Sequence, residues 1–240
     1  MYGRRSRRKK QAARWCCVPL MITWQASHVR WTYWQILNRT SSTLVAILLA
    51  TAQSPAAADW MFRAELIREP TPDRFSVCFD HSCRTIVTSS FSGREWQRIT
   101  VPLRQPAPSA AAERVALAQA IALMEQLVGE KTGTAGDRGG NLAGFGRPGQ
   151  MDCIDESNNT TTYLQLLQRD GLLRHHILQD RATRFGLSAG MPHTTAVILD
   201  VAAQRRYAVD SWFFDNGEFP VIMRLEDWKS GWRPDDDRHE

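Results

Sequence analysis

The stretch "GQMDCIDESNNTTTYLQLLQRDG", residues 149–171, sets a single cysteine between carboxylates at what the pattern marks as the first turn of a helix. Asp152 suits the cap position, and Asp155, three residues on, completes a reciprocal box with it. Ile154, Thr161, Leu164 and Leu167 give one face, and Gly171 is the stop, so a helix is predicted from Cys153 to about Asp170. Its threonine run is a poor helix former, so packing must hold it. Cys153 then meets free backbone N–H groups and the positive end of the helix dipole, which stabilise a thiolate. Asp155 points away from it, being about 200° around the helix. Glu156 lies nearer the thiol and opposes the anion. A cation beside Cys153, most simply an imidazolium, would settle the balance.

The partner is sought in two strands further on, "HTTAVILD" from His193 and "RRYAVDSWF" through Asp210, both rich in β-branched or aromatic residues. A turn centred between Val201 and Ala202 makes His193 and Asp210 direct cross-strand neighbours on one face. The carboxylate then orients the imidazole and fixes its tautomer. A slip of one residue would send Asp210 to the opposite face. Asp200 and Asp215 are rivals, but the first lies near the turn and the second opens "DNG", itself a turn signal. Trp212, Phe213 and Phe214 either wall a cleft or pack a core. His175 and His176 could form a metal pair, but adjacent residues point apart, and they read as surface histidines. "FPVIMRL", residues 219–225, reads as another strand.

Length and charge bound the classes open to the chain. Its 240 residues suffice for one sizeable domain. The pI near 9.2 invites a nucleic-acid reading. However, residues 1–58 hold nine of the 30 Lys/Arg and none of the 25 Asp/Glu, so the remainder carries a net charge of −4. The basicity belongs to a leader, and no nucleic acid is expected as a partner. "STLVAILLATAQSPAAADW" closes an apolar run on an A-x-A pattern before Asp59, the layout of a secretory signal peptide. The run is too short for a span, which needs roughly 20 apolar residues, so no stable membrane span is expected after cleavage. The leader's length points to a start codon assigned upstream of the true one. The mature domain is then 59–240, and the protein is expected to be periplasmic or secreted.

Removing the leader removes Cys16 and Cys17 and leaves Cys78, Cys83 and Cys153. In "RFSVCFDHSCRTIVTSS" Cys78 and Cys83 face each other across a hairpin within disulfide reach. The alternative is a zinc site with His81, but only three ligands sit there and a structural zinc takes four. Cys153 is left over, either a reactive thiol or one end of another bridge. The domain opens β-rich over 59–104, with a short helical turn at "SGREW" where Ser92 and Glu95 fit a capping box. An amphipathic helix follows from Ala110 to Val128, with Ser109 as cap and Gly129 as stop. Residues 129–149 hold eight glycines in twenty-one positions without a phosphate-binding pattern, and read as a flexible connection bordering a site.

The order of cysteine on a helix N-terminus, histidine opening a strand and aspartate near the end of the next resembles the transglutaminase-like, papain-related superfamily. "DCID" at 152–155 resembles the helix start of the bacterial transglutaminase-like cysteine proteinases, and "HTTAVILD…RRYAVDSWF" their histidine and aspartate strands. The likeness covers roughly residues 149–216, with Met151 where that group more often has glycine. It implies an α+β fold with a papain/transglutaminase-like core, its nucleophile helix packed on an antiparallel sheet. It implies Cys153 as nucleophile, His193 as general base and then acid, and Asp210 as orienter. The Cys153 N–H, and less strongly Gln150, would serve the oxyanion. The expected activity is a cysteine hydrolase or acyl transferase acting on peptide, protein or peptidoglycan amides. No metal or cofactor is required. The alternative is a catalytically silent envelope scaffold or peptide-binding protein on the same fold.

Overall fold

A computed structural model describes residues 63, 65–141, 144, 146–187 and 191–234. All of these lie within one compact unit, Ala52–Glu240. The leader, its cleavage point and Cys16 and Cys17 lie outside the described residues. Among the described residues no helix is long and apolar enough to cross a membrane.

Strands β1 (Phe75–Phe79) and β2 (Thr85–Ser89) pair antiparallel, and a Cys78–Cys83 disulfide closes their turn. The zinc alternative falls, since each sulfur is bonded to the other. The β-rich opening ends at Ser89. The "SGREW" turn is the first turn of a full helix, α1 (Gly93–Arg104), which runs through Pro102. Its capping box of Ser92 and Glu95 is as expected. The helix outlasts the proline signal because Ile99 and Leu103, four apart, are both buried against the core.

Helix α2 (Ala110–Thr132) starts at the expected Ser109 cap but passes Gly129 and stops at Gly133, whose φ is 81°. Gly129 serves close approach instead. A Cβ there would lie 2.8 Å from Asn216 Nδ2 and 3.0 Å from Ala135 Cα. Helix α3 (Cys153–Arg169) matches its predicted span, with Asp170 as C-cap and Gly171 at φ 67°. Leu117, Ile121 and Met124 of α2 and Tyr163, Leu164 and Leu167 of α3 are buried in one apolar cluster. Each such side chain contributes roughly 1.5–3 kcal/mol on burial.

Four antiparallel strands form the second sheet in the order β3 (His176–Leu187), β4 (Met191–Asp200), β5 (Arg205–Asp210) and β6 (Val221–Arg224). Short helix α4 (Leu225–Lys229) follows. The sequence reading found β4, β5 and β6 but not β3, a polar edge strand with two register irregularities that blur its alternation. One face of the sheet presents Ala196, Ile198, Tyr207 and Val209 to the main cluster. The other presents Val197 and Ala208 to Leu225 and Trp228 of α4.

His176 is not a surface residue. It is buried at the start of β3, where Glu113 accepts from its Nδ1 and its backbone N–H and from the N–H groups of Arg174 and His175. His175 is half-buried, with Nε2 2.9 Å from Ala107 O.

The glycine-rich segment is anchored. The Gly139 N–H donates to Asp215 Oδ1, and a Cβ on Gly139 would come within 2.3 Å of the Phe214 backbone. Gly139→Ala is therefore expected to cost about 1–3 kcal/mol through overpacking against main chain. Chemical denaturation checks this, and an unchanged midpoint would refute the tight approach.

Candidate active site

The first turn of α3 is fixed from outside the helix. In the β1–β2 turn, Asp80, His81, Ser82 and Cys83 all have positive φ, between 53° and 67°. Such conformations cost non-glycine residues of order 1–3 kcal/mol each and persist only where the surroundings enforce them. Here the disulfide ties the ends, and the run of exposed N–H groups forms a nest for carboxylates. His81 N–H donates to Asp155 Oδ2 at 2.8 Å and Cys83 N–H to Asp155 Oδ1 at 2.6 Å. Ser82 donates its N–H to Asp152 Oδ2 at 2.9 Å. The same two aspartates form the capping box, with Asp152 Oδ1 accepting from Ile154 and Asp155 and Asp155 Oδ2 from the Asp152 N–H. Asn159 adds a two-way bond to the backbone of Cys78, 2.8 Å in each direction. The acids and asparagines after Cys153 thus form a buried docking face for the hairpin.

Cys153, at the first position of α3, is a free, half-buried thiol. Its Sγ accepts from the Thr194 N–H and lies 3.9 Å from Pro192 O, so the sulfur meets β4 on both sides of His193. The Asp152 cap bonds go to Ile154 and Asp155. The Cys153 N–H therefore faces out of the helix start without an intrahelical partner. Burial, then Asp152, Asp210 and Asp155, pushes the thiol up to about 12, against the Thr194 N–H that lowers it. Asp155, expected to point away, still bears on the thiol through its charge.

His193 and Asp210 are brought together, but not as direct neighbours. The β4–β5 turn spans residues 201–204, and Asp200 pairs with Arg205. Continued from Ala196↔Val209, this register places Asp210 opposite Thr195, two residues past His193. An even offset preserves the face, so the imidazole reaches diagonally. His193 Nε2 lies 2.7 Å from Asp210 Oδ2. Both side chains are buried. His193 Nδ1 has no hydrogen-bond partner among the described residues. Asp210 also accepts from Trp228 Nε1 at 2.7 Å and from the Trp212 N–H at 3.3 Å. The imidazole is packed among Trp212, Phe213 and Trp228, with ring centres 4.8, 5.2 and 5.4 Å away.

The rival aspartates are engaged elsewhere. Asp200 faces Arg114 at 3.7 Å and accepts from the Ala203 N–H, while Asp215 binds Arg138 and the Gly139 N–H. Gln150 Nε2 donates to Gly136 O, and its Oε1 accepts from Asn141 and the Arg138 N–H, so this side chain laces the glycine-rich segment. Cys78, Cys83 and Asp155 bring potential metal ligands together, but the sulfurs are joined and Asp155 holds peptide N–H groups. Trp228, Thr194 and the hairpin nest were not found in the sequence. Only the aromatic pair Trp228 and Trp232 near the C-terminus hinted at the first.

Beneath the site lies a cluster of buried carboxyls. Burial above all, then Asp137, holds Glu125 up at about 7. Burial likewise raises Asp137 and Asp155 to about 7, with neighbouring aspartates adding to it. Glu156 is raised well above its ordinary range by burial and then by Glu125. Glu156 Oε2 and Glu125 Oε1 lack hydrogen-bond partners among the described residues.

Two outcomes follow. Because these acids bind protons more tightly when folded, the native state holds more protons than the unfolded chain between their ordinary values, 3.8–4.5, and about 7. Stability should fall as pH rises through that window. Glu95, lowered to about 2 by Lys131 and Ser92, acts oppositely but only below 4.5. Melting temperature should therefore drop between about pH 5 and pH 8, and Glu156→Gln should flatten the drop. A slope unchanged in that variant would exclude Glu156 as a source. Separately, Asp155→Asn presents an NH2 group to one of three backbone donors and should cost about 1–3 kcal/mol, read by urea denaturation of the oxidised protein.

Compared with known proteins, the chain matches no family model, no curated protein and no solved structure.

Proposed function

We propose that this protein is an exported cysteine hydrolase or acyl transferase of transglutaminase-like character, acting on peptide, protein or peptidoglycan amide bonds. The observation that carries the reading is the His193–Asp210 pair, bonded through Nε2 and leaving Nδ1 unpartnered, with the Cys153 sulfur held at the residues on either side of that histidine.

With Asp210 as the accepting carboxylate, Nε2 carries the imidazole hydrogen and Nδ1 is the bare, basic nitrogen. A thiol pushed up to about 12 is not ionised on its own near neutral pH. Proton transfer from Sγ to Nδ1 therefore accompanies attack on the substrate carbonyl, the cation formed on His193 offsetting the anion on sulfur. The negative oxygen of the tetrahedral intermediate takes the Cys153 N–H at the positive end of α3. The second Nε2 hydrogen of Gln150 is a further donor on this reading. The tetrahedral intermediate expels the amine, which leaves with the proton from Nδ1. Water, or a second amine, then resolves the thioester.

The export half of the proposal rests on the leader's charge and A-x-A pattern. The buried acids around the helix start, which raise the cost of a lone thiolate, favour the scaffold as second reading. Iodoacetamide modification separates the two. Cys153 should react with a pH-dependent rate roughly a hundredfold above that of its His193→Ala variant. A wild-type thiol as slow as an ordinary free cysteine, with no loss in His193→Ala, sinks the enzyme and leaves the scaffold.

A further inference from the structure

Asp210 Oδ2 accepts two hydrogen bonds of equal length, 2.7 Å from His193 Nε2 and 2.7 Å from Trp228 Nε1. Trp228 is fully buried on α4, after the strand that follows the site. A buried indole N–H needs an acceptor, and here that acceptor is the oxygen of the carboxylate that faces the histidine. An indole N–H donates and never accepts, so it fixes Oδ2 as an acceptor.

The helix itself is held in place for this contact. Arg184 stands opposite His193 in the β3–β4 register. Its guanidinium donates to Trp228 O, and to Trp232 O at 2.9 Å, and lies 4.4 Å over the Trp228 ring. A buried arginine thus clamps the short helix α4, which has no side-chain cap of its own, to the strand beside the histidine. The indole can then neither swing away from Asp210 nor admit water to it. The titratable and charged groups bearing on the His193–Asp210 pair are Cys153 and Glu156 from α3 and Arg184 from β3.

We propose that Trp228 is a positioning residue for the Cys153–His193–Asp210 site: its indole N–H holds the Asp210 carboxylate in the orientation that binds His193 Nε2 and so leaves Nδ1 as the bare nitrogen. The proposal rests on the enzymatic reading above. Trp228 touches no reacting atom and acts only through Asp210. Without its N–H, Asp210 keeps an unsatisfied lone pair in a buried, acid-rich surround. The carboxylate can then turn, and His193 loses the fixed acceptor that sets its tautomer.

Trp228→Phe keeps the ring and removes the donor. Iodoacetamide modification of Cys153 in this variant should slow about tenfold or more, the worth of a hydrogen bond to a charged group. The pH dependence of that rate should change in shape toward that of His193→Ala, which lost packing alone would not do. A rate and profile matching wild type overturn the proposal.

A second measurement needs no variant at Trp228. In ¹⁵N-labelled protein with the wild-type residue, the Trp228 indole N–H resonance should move when Asp210→Asn removes the charge. A resonance unmoved by that substitution overturns the proposal. Should wild-type Cys153 prove inert, the enzymatic reading fails by itself, and the indole resonance still decides whether Trp228 holds Asp210.

Discussion

The two oxygens of Asp155 hold the structure around the site together. They accept the N–H groups of His81 and Cys83 from a hairpin turn and of Asp152 from the helix cap. Neither partner stands well without the other. Four left-handed residues in a row would relax if their N–H groups had no acceptor to face, and a helix start with a buried Asp155 beside a half-buried Asp152 would be disfavoured without donors from outside. The disulfide restricts the conformations the turn can explore. The position of Cys153 follows from this, since it lies between the two aspartates so held. The far end of the sheet is held on the same plan, with Glu113 gathering peptide N–H groups from the start of β3.

How much of this was legible in the sequence depends on the range of each interaction. The span of α3 and its capping box were readable, because a cap is a contact between residues three apart. The strands β4 and β5 were readable from their β-branched content. The stop of α2 was misplaced because glycine has two uses, and only Asn216 and Ala135, distant or looped back, show that Gly129 serves close approach. Strand β3 was missed because its pairing comes from β4 rather than from its own pattern. That the polar run Asp155 to Thr160 is buried was not readable, since Asp155 and Asn159 take backbone groups of a hairpin some 70–80 residues earlier as their partners.

The His193–Asp210 pair shows the same rule more sharply. Their shared face was read correctly and their register was not. The turn between the strands takes four residues, moving Asp210 two places along. Parity is robust to such an error because side chains repeat every two residues; direct opposition is not. The diagonal offset has a structural consequence. It leaves room on the same face for a second donor to Asp210, and Trp228 takes it.

The charge pattern then bears on what a thiol can do in this place. The negative groups near Cys153 raise the cost of a lone thiolate. On the proposed reading the proton moves from sulfur to His193 as the substrate is attacked, so no lone thiolate has to form. The deeper acids matter less than their number suggests. Near neutral pH much of the charge on Glu125, Asp137 and Asp155 is titrated away by their raised affinities, and Glu156 holds its proton more firmly still. On the proposed reading Asp210 is the carboxylate that bears on His193, because it accepts from the imidazole and is held by the Trp228 and Trp212 N–H groups. A site built this way needs no thiolate at rest. On the proposed reading it needs a carboxylate held in one orientation, and the three hydrogen bonds to Asp210 supply that hold.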